Sequence, residues 1–319
     1  GIPNGEVYEF DTVTGVVTTH LITNGRWNGA MGAVGQYLCV VAGLDAGGGA
    51  VTEVNVYDTV AKTWSQLALT HAVQDPGVTA VGGRLLVVGG KDTGTLPTNH
   101  VQWIDPAAGT TGLEAALPEA VDRPGCATLG PKAFFGGGLV LAGAGIDSTN
   151  QLVTYDDRPG TQTAAALPVK YDGGEALAVG NRIVFGGGAL GGNPTATALL
   201  LEADGSASPT TMPASVIGAT GASTERAAYF GGGFLAPTFV TMTELFVYTN
   251  PDVLTVDVAD IPLSLGGVAN FDFHAGAGEA GKSFVLLYSA SGTAPGFLFD
   301  GQLIPLNFDA LVIKSISLP

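Results

Sequence analysis

Residues 43–67, GLDAGGGAVTEVNVYDTVAKTWSQL, and residues 75–90, DPGVTAVGGRLLVVGG, decide the fold between them. In the first stretch Val54 and Val56 alternate with Asn55 and Tyr57, the period of a strand with one face against a core. Asp58 follows, placed to accept hydrogen bonds from its own turn. The chain then returns through Trp64 and Leu67, which are expected to seal one sheet against the next. In the second stretch a small-residue strand, Val78–Val81, leads through a glycine turn into an aliphatic strand, Leu85–Val88. The pair Gly89-Gly90 marks a place where the backbone turns or passes close to a neighbour.

Read outward, this pattern repeats. An aromatic or aliphatic residue followed by Asp occurs at Phe10-Asp11, Tyr57-Asp58, Ile104-Asp105, Tyr155-Asp156 and Phe299-Asp300, with degenerate copies at Asp204 and Asn250. The steps between these seven positions are 47, 47, 51, 48, 46 and 50 residues. A glycine precedes a small-residue strand at Gly29, Gly77, Gly125, Gly174, Gly221 and Gly267. An apolar strand running into small residues is read at Leu38–Gly43, Leu85–Gly90, Leu139–Gly143, Ile183–Gly187, Ala227–Gly232 and Phe284–Ser289. Each unit therefore predicts four short strands, and sheets of that size bury their faces only by stacking on one another.

The Gly doublet, the Tyr-Asp pair, Trp64 and the following Gly-small strand resemble the kelch repeat. The match is close over residues 24–167 and weaker over 168–319, where the Trp is lost. The resemblance implies an all-β fold, a kelch-type β-propeller, with residues 1–319 forming a single domain. Residues 5–22 supply an orphan hairpin, and residues 308–319, FDALVIKSISLP, remain after the sixth complete unit. Pairing the two closes a ring of seven four-stranded blades and removes two sheet edges. Six blades with an extra C-terminal hairpin is the alternative.

The chain has 319 residues, 49 of them Gly, and a formal net charge of −16 with only 12 Lys and Arg. Without a basic stripe, nucleic acid is not an expected partner. No apolar run is long enough to span a membrane, so membrane insertion is not expected either. Numbering from Gly1-Ile2-Pro3, few Lys and abundant Thr, Ala and Gly fit an exported, extracellular protein whose leader has been removed. Cys39 and Cys126 both fall in apolar strands and are read as free thiols.

Kelch-type enzymes of the copper-radical oxidase class need two His, an axial Tyr and a Tyr–Cys crosslink. Of His20, His71, His100 and His274, only His71 and His274 fall near loops between repeats, and these belong to non-adjacent units. The Glu-x3-Asp-x3-His spacing of the iron-dependent plant specifier proteins does not occur, and no motif carries the sialic-acid epimerase type. GAGEAGKS at 276–283 matches a phosphate-loop pattern, but a strand rather than a helix is expected behind it. Asp45, Asp92 and Asp147 could each offer oxygen to Ca²⁺, though none sits in a dense ligand run.

What remains is a set of loops leading from the last strand of one repeat into the first of the next. They carry Arg26, Trp27 and Asn28; His71, Gln74 and Asp75; Asp122 and Arg123; and Lys170, Tyr171, Asp172 and Glu175. Trp27 offers a stacking platform, with Arg26 and Asn28 as donors. Equally, Trp27 could pack on a neighbour while Arg26 or Arg123 braces Asp75 or Asp122. The expected function is a secreted or surface-exposed, non-catalytic binding module for a glycan, peptide or protein. The alternatives are a carbohydrate enzyme using Asp122, Tyr171 or Glu175 as acid/base groups, and a structural component of a matrix or coat.

Overall fold

The computed structural model describes residues 5–11, 14–143, 145–190, 193–224, 226–237, 240–243 and 245–249, and the backbone of 254–256, 271–273, 297–299 and 302–304. The chain divides into two units, Gly1–Asn250 and Pro251–Pro319. Among the described residues every regular element is a β-strand, and every pairing is antiparallel.

The first unit opens with a hairpin, β1 (Glu6–Phe10) and β2 (Val17–Leu21), and five sheets follow in chain order. The first contains β3 (Ala30–Val34), β4 (Tyr37–Val41), β5 (Val51–Asp58) and β6 (Thr63–Val73). The second contains β7 (Gly77–Val81), β8 (Arg84–Val88), β9 (Val101–Asp105) and β10 (Thr110–Leu113). The third contains β11 (Gly125–Leu129), β12 (Lys132–Gly136), β13 (Leu139–Ala142), β14 (Gly145–Asp156) and β15 (Thr161–Tyr171). The fourth contains β16 (Glu175–Val179), β17 (Arg182–Gly186), β18 (Ala189–Leu190), β19 (Asn193–Glu202) and β20 (Ala207–Ile217). The fifth is shorter: β21 (Thr220–Ser223) and β22 (Ala227–Gly231) pair in order with β25 (Phe246–Thr249), while β23 (Phe234–Leu235) and β24 (Val240–Thr241) extend from β20. The second unit contributes two hairpins, β26 (Leu254–Val256) with β27 (Phe271–Phe273) and β28 (Phe297–Phe299) with β29 (Gln302–Ile304).

Consecutive sheets pack face to face, and the period-2 pattern of their second strands makes this possible. Leu85 and Val87 of β8 join the core shared with the first sheet, and Leu86 and Val88 join the core shared with the third. Ala133 and Phe135 of β12 face the second sheet, whereas Phe134 faces the fourth. Ile183 and Phe185 of β17 face back to the third sheet, and Val184 faces the fifth. These strands read as unbroken apolar runs because both faces are covered.

The Asp at the end of each third strand ties its turn as expected. Asp58 Oδ1 accepts from the amides of Val60 and Ala61 at 2.8 Å, and Asp105 Oδ1 accepts from Ala108 at 2.9 Å. Trp64, however, stacks on Tyr57 and meets His20 of the leading hairpin edge-on, so it seals the first sheet toward β1–β2.

Two sequence assignments are corrected. The apolar strand of the third repeat is Lys132–Gly136, not Leu139–Gly143; the latter forms β13, a side hairpin with β14. The phenylalanines of KAFFG meet the small residues Gly137-Gly138, and the next run, LVLA, has the same composition one step later. Moreover, the glycines at 29, 77, 125, 174 and 221 do not share one structural position. The first strands begin at Ala30, Gly77, Gly125, Glu175 and Thr220, so the marker slides between one residue before the strand and its second residue. Markers resting on Gly267, Phe284–Ser289, Asp300, His274, the 276–283 motif and residues 308–319 lie outside the described residues.

Candidate functional site

What does stay in register is a left-handed backbone residue two positions before each first strand. It is Asn28 (φ 55°), Asp75 (52°), Arg123 (52°), Gly173 (60°) and Gly218 (67°). Asn and Asp tolerate this conformation and Gly is indifferent to it, but for Arg it costs of order 1–2 kcal/mol. Here it lets the chain leave one sheet and enter the next in a single tight crossing. Successive crossings are stitched together: the Asp75 amide donates to the Asn28 carbonyl at 2.8 Å, and the Arg123 amide to the Asp75 carbonyl at 3.2 Å.

A second stitch explains the glycine doublets. Gly43, Gly90 and Gly138, all at positive φ, donate their amides to the carbonyls of Val73, Val121 and Tyr171, each two residues before a left-handed crossing residue, at 2.7–2.9 Å. A Cβ on Gly138 would lie 2.3 Å from Val121 Cγ2 and 2.6 Å from the Asp122 carbonyl. Only glycine lets these backbones meet.

The five crossings wall a cavity of about 700 Å³. Its lining is mostly Gly, Ala and Pro, with charged side chains at Asp75, Arg123 and Glu175 and a thiol at Cys126. Of the twelve loop residues singled out in the sequence, only these three, Asp75, Arg123 and Glu175, line it.

Arg26 lies elsewhere, its side chain 2% exposed. It donates to the carbonyls of Glu53 and Val40 and to Asn55 Oδ1, and stands 3.6 Å from the Glu53 carboxylate. It therefore braces the first sheet, through partners other than the expected Asp75 or Asp122. Trp27 is half-buried and exchanges both backbone hydrogen bonds with Leu44, while the Asn28 amide side chain reaches Asp75 at 3.4 Å. His71 belongs to β6 rather than a loop, and its ring stacks on His100 at 3.9 Å with the planes 6° apart. Gln102, 1% exposed, clamps the His71 backbone from both sides, donating to its carbonyl and accepting from its amide. Burial, then the neighbouring His71 charge, holds His100 below the usual imidazole range.

Beneath the crossings sit the buried acids. Asp122 is fully buried; Lys91 Nζ lies 2.9 Å and Arg123 Nε 3.3 Å from its Oδ2. Neither carboxylate oxygen completes a well-aligned hydrogen bond among the described residues, and burial raises the pKa of this acid despite the two cations. Lys91 also stands 3.6 Å from Asp75, so one ammonium bridges two carboxylates. Asp172, the counterpart of Asp122 one sheet on, instead accepts a short hydrogen bond from the Ser148 hydroxyl. Tyr171 ends β15 with its ring enclosed by Gly174 and Gly188, and burial pushes its ionisation far upward. Lys170 pairs with Asp147, whereas Asp45 and Asp92 cap their own turns through the amides of Gly47, Gly49, Gly94 and Leu96.

Glu175 differs from all of these. It opens β16 at the place taken by Ala30, Gly77, Gly125 and Thr220 in the other four sheets. Its carboxyl finds no ion-pair or hydrogen-bond partner among the described residues, and desolvation lifts its pKa to about 7. By surface area it is only partly covered, because one side opens on the cavity. Cys126, next to it in the lining, is pushed well above the usual thiol range by burial first and the Glu175 charge second. A thiol so held is protonated and a poor nucleophile. Among the described residues no three of His, Cys, Asp and Glu converge to hold a metal ion.

The slot filled by Glu175 is visible only once strand starts are aligned in space, because Gly174 occupies the sequence marker. No protein-family model matches the chain, and no curated protein matches it at a significant level.

Proposed function

We propose that the chain is a kelch-type β-propeller serving as a secreted or surface-exposed binding module, with its ligand taken into the cavity walled by the sheet crossings. The observation that carries this reading is the cavity itself: about 700 Å³, bounded by first strands of five sheets, and charged only where Asp75, Arg123 and Glu175 enter it. That volume falls in the range of small-molecule and side-chain sites. The Ser148 and Asp172 side chains beneath are committed to each other, and the lining thiol is held protonated, so binding rather than turnover is favoured. A glycan, a peptide or a protein loop is the ligand class.

In the same reading the exposed edge of the β1–β2 hairpin is completed by the C-terminal strand within 308–319, giving seven blades. Repeats of 46 to 51 residues and face-to-face stacking of successive sheets support it. Deleting 308–319 should then lower the melting temperature sharply and promote association; an unchanged melting temperature argues against closure.

Glycan and peptide arrays probed with the labelled chain test the binding reading. Saturable binding should vanish in an R123A/E175Q double variant whose thermal stability is retained. Binding that survives both substitutions removes the cavity from the function. Release of a chemically altered ligand would instead favour the carbohydrate-enzyme reading.

A further inference from the structure

Charged groups gather around the crossings into the second, third and fourth sheets, and three of them, Asp75, Arg123 and Glu175, line the cavity. Lys91 and Arg123 supply two cations; Asp75, Asp122, Asp172 and Glu175 supply four carboxylates. Asp122 and Asp75 hold the two cations at 2.9–3.6 Å and Asp172 accepts from the Ser148 hydroxyl, which leaves Glu175 as the lining carboxylate without a partner among the described residues. The groups facing it across the cavity are Cys126 of β11, Arg123 just before β11, and Asp75 before β7. From β21 the lining offers only Thr220 and Gly221, which carry no charge. Each of the other four sheets puts a small, neutral residue at the position of Glu175.

A carboxylate in a cavity, without a cation of its own, loses water on one side and gains nothing from the protein in return. A cation entering the cavity would supply the missing partner. We infer that the cavity takes an ammonium- or guanidinium-bearing ligand, with Glu175 as its counter-ion and the glycine-rich walls leaving room for the chain that carries the charge. This rests on the cavity being the binding site and names the class of ligand it takes. The net charge of −16 would steer such a ligand toward the protein. Free polyamines and basic peptide side chains share this chemistry.

Because the Glu175 carboxyl titrates near 7 when the cavity holds no cation, binding below that pH must displace its proton. Calorimetry at low salt with trilysine, spermidine, maltotriose and triglutamate separates the possibilities. Trilysine or spermidine should bind, with the better of the two distinguishing a peptide from a free polyamine. E175Q should weaken that binding by roughly tenfold or more, and E202Q, which removes a carboxylate outside the cavity, should leave it unchanged. At pH 6.5, titrations in buffers of different ionisation enthalpy should show proton release. A second measurement needs no variant: the Glu175 ¹³C-carboxyl midpoint should fall by about one pH unit or more in saturating trilysine. If maltotriose or triglutamate binds and the cations do not, the cavity remains a binding site and the cation proposal is overturned. An unmoved Glu175 midpoint, or no binding by either cation, also overturns it.

Discussion

Where the chain crosses into the third sheet it reads Asp122-Arg123-Pro124-Gly125, and where it crosses into the fourth it reads Asp172-Gly173-Gly174-Glu175. The backbone path is the same: a buried Asp paired to the neighbouring sheet through Leu139 or Ala189, a left-handed residue, then the first strand. In the third-sheet crossing the charge sits on the left-handed residue and is spent on Asp122, while Gly125 keeps the strand start bare beneath the Phe185 ring. In the fourth-sheet crossing two glycines carry the turn, and the charge moves to the strand start, where no partner meets it. Two crossings with one geometry thus place the charge either in a brace or unpaired at the cavity wall, according to which of three consecutive positions holds it.

The largest expected effect comes from the geometry the crossings share. Gly138→Ala forces a Cβ into Val121 and the Asp122 carbonyl at φ +103°, and should cost more than about 3 kcal/mol in urea unfolding. Gly143→Ala, also at positive φ but with nothing within 4 Å, should cost only ~1 kcal/mol. Equal losses would mean that close approach does not set the doublet.

Next, the two buried acids should respond differently. Lys91→Met strips Asp122 of its nearest cation and should cost roughly 3 kcal/mol at neutral pH, less on acidification as the carboxyl is protonated. Ser148→Ala removes one hydrogen bond from Asp172 and should cost about 1–2 kcal/mol. Chemical denaturation at two pH values measures both.

Glu175 follows with an effect that changes with pH. Its folded-state pKa is raised, so the unfolded chain ionises first, and the fold carries a penalty that is absent below the ordinary carboxylate range. The penalty grows from there to about pH 7 and is complete above it. Glu175→Gln should therefore stabilise by about 2 kcal/mol at pH 8 and leave stability unchanged at pH 4. A pH-independent difference would show that the carboxyl is not desolvated.

The smallest effect sharpens the comparison at the left-handed position. Arg123→Gly relieves the strain at φ 52° but gives up a half-exposed ion pair, so its net change should stay below ~1 kcal/mol. Gly173→Ala, which gains nothing, should cost about 1 kcal/mol.

Much of the fold was legible in the residues themselves. Alternation placed β5, unbroken apolar runs placed β8 and β17, and the Asp closing each third strand marked its turn. The candidate site was legible only in part: Asp75, Arg123 and Glu175 were picked out among twelve residues, and nothing in the sequence separated them from Arg26 or Tyr171. Arg26 and Arg123 look alike as loop arginines. One is buried because Glu53 and Asn55 lie on the adjacent strand β5; the other is open because its crossing faces the cavity.

The sequence by itself determined an all-β chain of repeated, face-buried sheets, because hydrophobic period and turn chemistry act between residues a few positions apart. Only the tertiary structure decided which glycines were contacts, which acids were braces, and that Glu175, among the described residues lining the cavity, is a carboxylate without a partner. Those outcomes depend on what neighbouring sheets bring within a few ångströms, and residues 47 to 51 positions apart in sequence carry no local signal of that meeting.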